Sequence, residues 1–171
     1  MKIVLVGYMA SGKSEVAKEI SQKTNIPVFD LDDIIEKTEG KTISAVFETK
    51  GELYFRKIEN QILNDFLNEH SHFVLSLGGG TPCYANNHLL LQNSDIFSVY
   101  LKATPKELKN RLIIQREHRP LVVALEDSEL EEYIAKHLFD RSFYYHQANH
   151  VVITDEKSVE EVADEIINLL Q

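Results

Sequence analysis

The sequence holds one cysteine, Cys83, among 171 residues. An internal disulfide is excluded, and a reducing, cytoplasmic compartment is expected. No hydrophobic run approaches the roughly 20 residues of a membrane-spanning helix. The apolar start is too short for a signal peptide and gives way at once to a glycine-containing turn. Basic residues are scarce, 18 Lys and Arg against 27 Asp and Glu, for a net charge of −9. That balance argues against a nucleic-acid binder. The seven histidines are scattered. His146 and His150 are four apart but straddle the start of a strand, so no zinc site is expected. No repeat, low-complexity tract or linker divides the chain, and its length suits one domain over residues 1–171.

Against that background one stretch stands out, Gly7-Tyr8-Met9-Ala10-Ser11-Gly12-Lys13-Ser14. It matches G-x-x-x-x-G-K-[ST], the phosphate-binding P-loop. The preceding Lys2-Ile3-Val4-Leu5-Val6 is apolar and β-branched and reads as a buried parallel strand. Residues 13–23 read as a helix with Val16, Ala17 and Ile20 on one stripe. Strand, loop and helix follow in the order the motif requires. Gly7 and Gly12 let the loop turn its N–H groups inward around a phosphate chain. The helix start adds free N–H groups and a positive dipole end. Lys13 is expected to reach the β- and γ-phosphates, and Ser14 to offer its hydroxyl to Mg²⁺.

The rest of the chain alternates strand with helix. Ile26-Pro27-Val28-Phe29 reads as the second strand, with Asp30-Leu31-Asp32 at its C-terminal end. Ligands of open α/β sheets bind there. In extended chain Asp30 and Asp32 point the same way, roughly 6–7 Å apart, placed for a metal or a substrate hydroxyl. Asp32 or Asp33 as the N-cap of the next helix is the alternative. After Gly40 and a short segment at 42–47, Gly51-Glu52 opens a long helix to about residue 69. Its expected buried stripe is Phe55, Ile58, Ile62 and Phe66. Arg56 lies beside that stripe with Glu52 and Glu59 about a turn to either side, a pattern that an exposed ion-pair ladder also gives.

A third strand, His72-Phe73-Val74-Leu75-Ser76-Leu77, ends on Gly78-Gly79-Gly80, whose backbone can approach a ligand. No Asp ends this strand or the fourth, at 96–101, so Asp30 is the candidate for metal support. Cys83 reads as a small packed side chain. Thr104-Pro105-Lys106-Glu107 and Ser128-Glu129-Leu130-Glu131 are capping boxes that start two helices. Between them, about 115–127, lies an arginine-bearing segment that reads as a mobile lid over a nucleotide. From 102 to 119 six basic residues meet two acids, an inversion that suggests a place for an anion, with a solvated helix face the favoured reading for the lysines. In the following helix Leu130, Ile134 and Leu138 share a face that Arg141 and Tyr145 continue. An inward arginine needs a partner, and a carboxylate gripped bidentately would be one. Residues 150–154 make the fifth strand, and Ser158 caps the last helix. The expected architecture is α/β: a three-layer α/β/α P-loop fold on a five-stranded parallel sheet.

Together these blocks resemble the shikimate kinase family, which has a P-loop fold like that of the nucleoside-monophosphate kinases. Phe29-Asp30-Leu31-Asp32 with Ile35-Glu36 is similar to the family's F-x-D-x-D-x-x-I-E. Gly51-Glu52-Leu53-Tyr54-Phe55-Arg56-Lys57-Ile58-Glu59 is similar to its G-E-x-x-F-R-x-x-E. The glycine triplet, Arg119-Pro120-Leu121 and Arg141 with Tyr145 match further blocks in order. The resemblance implies transfer of the γ-phosphoryl of ATP to the 3-hydroxyl of shikimate, with Mg²⁺ as cofactor, in a cytoplasmic monomer.

It also implies residue roles. Gly7, Ala10, Ser11, Gly12, Lys13, Ser14 and Arg119 bind ATP, and Ser14 and Asp30 support Mg²⁺. Asp32 holds the reacting hydroxyl and accepts its proton, with Lys13 and Arg119 as its catalytic companions. Arg56 and Arg141 grip the carboxylate, while Gly78, Gly79 and Gly80 approach the ring. The substrate region is about 31–60, and Arg111 and residues near Asp155 are candidates for the adenine. Three residues depart from the family's habit, Ala10 for glycine, Val122 for leucine and Phe143 for proline, and none removes a functional group. The competing expectations are another small-molecule kinase, for gluconate or a nucleotide, and a catalytically silent nucleotide-binding module.

Overall fold

The computed structural model describes residues 1–114 and 126–171. Five strands, β1 (Lys2–Val6), β2 (Val28–Asp30), β3 (Phe73–Ser76), β4 (Ile96–Lys102) and β5 (His150–Ile153), form one sheet. Their order is β2-β3-β1-β4-β5, and every pairing is parallel. Six α-helices accompany them among the described residues: α1 (Lys13–Thr24), α2 (Leu31–Glu39), α3 (Ile43–Glu69), α4 (Pro105–Ile114), α5 (Asp127–Tyr145) and α6 (Val159–Leu169).

The central strand shows why the sheet is covered on both faces. Successive side chains of a strand point to opposite faces. Ile3 and Leu5 pack with Val16, Ala17 and Ile20 of α1 and Val162 and Ile166 of α6. Val4 and Val6 pack with Leu31, Phe55, Leu108 and Ile134, from α2 to α5. An apolar residue at every position is what a doubly covered parallel strand requires. The expected α/β class with its five-stranded parallel sheet is borne out. The lid segment lies outside the described residues from 115 to 125, and with it Arg116 and Arg119.

Three local features differ from the expectation. Between β3 and β4 the chain makes two 3-10 helices, Thr81–Cys83 and Asn87–Gln92, and no α-helix. Pro82 in the first turn and the left-handed Asn86 between them keep both short. Residues 43–50 are helical, because Thr42 caps them by accepting a hydrogen bond from the Ala45 amide at 3.2 Å. Gly51 then interrupts α3 at φ 82°, ψ 171°, so the expected helix start is its second half. Finally, α5 begins at Asp127 with Glu126 as N-cap, whereas a Ser128 cap would start it at residue 129. The Ser158–Glu161 capping box of α6 forms in full.

The kink at Gly51 sets the direction of the helix half that carries Arg56 and Glu59. Its backbone angles lie in a region open essentially to glycine alone. Nothing stands within 4 Å of a side chain built there, so a substitution meets conformational strain without a clash. Gly51→Ala is therefore expected to lower stability by about 1–3 kcal/mol. Urea unfolding checks this, and an unchanged midpoint would contradict it.

Candidate active site

The P-loop leaves the central strand, Asp30 ends β2, and the glycine triplet follows β3. The sheet thus brings all three to one edge. They line a common cleft of about 180 Å³ with Lys13, Ser14, Asp32, Gly78 and Gly79 in its wall. Gly7 lies where a Cβ would come within 2.7 Å of the Leu101 carbonyl and the Ser11 hydroxyl, so only glycine fits. Lys13 Nζ donates to the Gly7 and Tyr8 carbonyls at 2.9 Å each, which holds it at the loop mouth. Ala10 adopts φ 62°, a left-handed conformation that costs a residue with a Cβ about 1 kcal/mol. This is the position where the family's usual glycine is replaced.

Asp30 and Asp32 do not share one extended strand as expected. Asp30 is extended and is itself the N-cap of α2, accepting from the Asp32 amide at 3.0 Å. Asp32 is already helical, so neither it nor Asp33 is the cap. One Asp30 oxygen caps the helix, and the other accepts from the Ser14 hydroxyl at 2.8 Å. Ser76, at the end of β3, stands 3.5 Å from Ser14. Hydroxyl and carboxylate oxygens are the hard donors that Mg²⁺ takes, and Mg²⁺ typically needs only one or two protein ligands beside phosphates and water. Ser14 and Asp30 fit that demand. Among the described residues no group of three or more His, Cys, Asp and Glu converges on a metal.

Asp32 is largely withdrawn from water. Burial, reinforced by the negative charges of Asp30 and Glu59, pushes its carboxyl up to about 6, with Lys13 pulling the other way. A carboxylate of that basicity is ionised at neutral pH yet accepts a proton more readily than an ordinary aspartate.

Each position of the glycine triplet lies beside a candidate site side chain. A Cβ at Gly78 would sit 3.0 Å from the Thr81 hydroxyl and 3.1 Å from Asp32, one at Gly79 3.5 Å from Arg141, and one at Gly80 2.8 Å from Arg56. None of the three has a positive φ. Gly78 and Gly80 leave space for neighbouring side chains, where the sequence implied backbone freedom, whereas a Cβ at Gly79 would make only ordinary contact.

Arg56 is held from several sides. Its Nη1 donates to Glu59 at 2.9 Å, and its guanidinium lies 3.9 Å over the Tyr84 ring. Its Nε is buried without a hydrogen bond among the described residues and faces the Glu52 carboxylate at 3.6 Å. Glu59 is not part of an exposed ladder: it is 1% exposed and also accepts from the Thr81 hydroxyl at 2.8 Å. Asn87 then donates to the Thr81 carbonyl at 2.9 Å. The buried stripe of α3 is Phe55, Glu59, Leu63, Phe66 and Leu67, whereas Ile58 and Ile62 are half-buried.

On α5 the Tyr145 hydroxyl donates to the Gly79 carbonyl at 2.6 Å and lies against Arg141. Arg111, a candidate for the adenine, bonds Thr154 at 2.8 and 3.2 Å and reaches the Ala10 and Ser11 carbonyls at 3.4 Å. Together with Ala10, Gly12, Lys157 and Val159 it lines a second cleft of about 300 Å³ beside the P-loop. Asp155 instead accepts from the Thr104 amide. Cys83 is half-buried, and burial raises its thiol.

Two residues of this arrangement are not singled out by the sequence as site residues. Glu59 stands four residues from Phe55 and four from Leu63, so its place on the apolar stripe is visible there. Thr81 leaves no comparable signal, because its partner is 22 residues away.

The raised Asp32 has a consequence for stability. The folded state holds this proton more tightly than the unfolded state, so ionisation lowers stability as pH rises from about 4 to about 6. Asp32→Asn is expected to stabilise the ligand-free protein at pH 7.5 by up to about 3 kcal/mol, an advantage that shrinks as pH falls toward 4. Denaturant midpoints across that range measure it, and equal midpoints at pH 7.5 would contradict it.

Comparison with known proteins bears on the family of the whole chain. The shikimate kinase family model matches residues 9–171. The shikimate kinase of Flavobacterium johnsoniae is 50% identical over 169 residues, 99% of this chain and 98% of its own. The crystal structure of the shikimate kinase from Bacteroides thetaiotaomicron has a TM-score of 0.90 at 33% identity, covering 99% of this chain and 98% of that one. The shikimate kinase from Acinetobacter baumannii, solved in complex with shikimate, has a TM-score of 0.85 at 29% identity, covering 99% and 92%. The chain belongs to the shikimate kinase family, ATP-dependent kinases that phosphorylate an alcohol group on the route to chorismate and the aromatic amino acids.

Proposed function

We propose that Asp32, Arg56 and Arg141 hold shikimate across the glycine triplet while the P-loop holds ATP. The family's reaction, transfer of the γ-phosphoryl group to the 3-hydroxyl to give shikimate 3-phosphate and ADP, then takes place between Lys13 and Asp32. The observation that carries this reading is the gathering of Asp32, Arg141 and Arg56 around the glycine triplet. Two arginines and one basic carboxylate around a side-chain-free surface suit a small ring with a carboxylate at one end and a hydroxyl at the other.

The chemistry follows from these positions. Asp32 accepts the proton of the substrate hydroxyl as its oxygen bonds to the γ-phosphorus and the bond from that phosphorus to the bridging oxygen of ADP breaks. Lys13 leaves its loop carbonyls to follow the charge on the β- and γ-phosphates. The P-loop amides from Ala10 to Ser14 hold the remaining phosphate oxygens. Mg²⁺, held by Ser14 with Asp30 in support, would neutralise phosphate charge when bound with the nucleotide. Arg119, outside the described residues, is assigned to the phosphates by its lid block. Residues 31–60 and the lid at about 115–127 serve the acid and the nucleotide within one domain spanning 1–171. ATP and shikimate are the partners of a cytoplasmic monomer that binds no nucleic acid. Among the described residues no helix is long and apolar enough to cross a membrane.

Arg56→Lys keeps the charge and loses the planar fork. Its KM for shikimate is expected to rise about tenfold or more, the worth of a charge-assisted hydrogen bond, with the KM for ATP changed less than about twofold. Equal effects on both would remove Arg56 from the carboxylate. If Asp32 is the base, kcat/KM for shikimate should fall about tenfold per pH unit below about pH 6. An acid limb starting near pH 4 would contradict that role.

A further inference from the structure

We propose that His137 is a positioning residue for the acid-binding end of the site, acting through Tyr8; this rests on the assignment of Arg141 to the shikimate carboxylate. Tyr8 is the second residue of the P-loop, and it is 1% exposed. Its hydroxyl and His137 Nδ1 share a hydrogen bond of 2.9 Å. The two rings stand edge to face, with centroids 5.5 Å apart at 90°. Tyr133, one turn earlier on α5, also packs against the imidazole, at 5.6 Å.

His137, Arg141 and Tyr145 follow each other at intervals of four and so share one face of α5. They meet three features of the site: the Tyr8 hydroxyl, the Tyr8 ring and the Gly79 carbonyl. The Arg141 guanidinium lies 5.9 Å from the Tyr8 ring centre, and Tyr145 bonds Gly79 at 2.6 Å. The Tyr8 carbonyl, meanwhile, accepts from Lys13. One P-loop residue therefore touches the nucleotide-side lysine through its backbone and the acid-side arginine through its ring. A directional bond at the ring's far end fixes the placement of that ring. It thereby fixes the surface against which a long, rotamer-rich arginine settles. The backbone contact to Lys13 does not depend on the ring, so the effect falls on the acid.

Steady-state kinetics of Tyr8→Phe, His137→Phe and the double variant, with Arg141→Gln alongside, test this. Each single ring variant removes the same bond, and Tyr8→Phe, one oxygen smaller, keeps the test available should His137→Phe fail to fold. The expected result is a shikimate KM raised about fivefold in each. The ATP KM should stay within about twofold, and the double variant should be no worse than either single one, as a shared interaction requires. Arg141→Gln should raise the shikimate KM further than any of them. If Arg141→Gln leaves that KM unchanged, the carboxylate assignment falls and the role of His137 with it. If Arg141→Gln raises it while the ring variants leave it unchanged, the assignment stands and the positioning role is overturned. The positioning role is overturned equally if the ring variants raise both KM values alike, or if their effects multiply in the double variant.

Discussion

A single buried carboxylate, Glu59, holds the Arg56 side of the cleft together. It is 1% exposed and is satisfied by Arg56 on one side and by the Thr81 hydroxyl on the other. A buried charge left without its partner typically costs about 3–5 kcal/mol, so these three groups form and fail together. Arg56 belongs to α3, and Thr81 to the turn after the glycine triplet. The carboxylate therefore ties the helix that carries Arg56 to the loop that follows the glycine triplet. It also adds negative charge near Asp32, which helps keep that group basic. Structure and chemistry meet in one side chain.

The sheet sets the other constraint. With β1 at its centre and all strands parallel, their C-terminal ends open on one edge, where ligands of such sheets bind. The P-loop, Asp30 and the triplet arrive there from three neighbouring strands, β1, β2 and β3. Asp30 serves two elements at once, capping α2 with one oxygen and holding Ser14 with the other. The N-termini of α2 and α1 are thereby tied by one residue.

Much of this is legible in the order of residues. The P-loop and the five strands can be read from periodicity and motif spacing, while the grouping of Arg56 and Arg141 with Asp32 is expected from the family resemblance alone. What escapes is set by contacts distant in sequence or by backbone geometry. The Asp30 cap depends on where the backbone leaves the extended state, which the run Asp30-Leu31-Asp32-Asp33 leaves open. The helix at 43–50 is obscured by Gly51, which reads as a helix start but, at φ 82°, bends a helix already under way. Gly78 and Gly80 leave room for Asp32, Thr81 and Arg56, and a run of glycines alone says nothing about that. The contact of Tyr8 with His137 spans 129 residues and leaves no trace in local pattern.

The central claim is that one cleft holds ATP and a carboxylated ring together. It is tested most directly by ADP release from MgATP with shikimate, with gluconate, with nucleoside monophosphates and with no acceptor. The account predicts strong release with shikimate alone. Release driven by gluconate or a nucleotide would keep the kinase and void the roles given to Arg56 and Arg141. Binding of ATP without release for any acceptor would contradict the account as a whole.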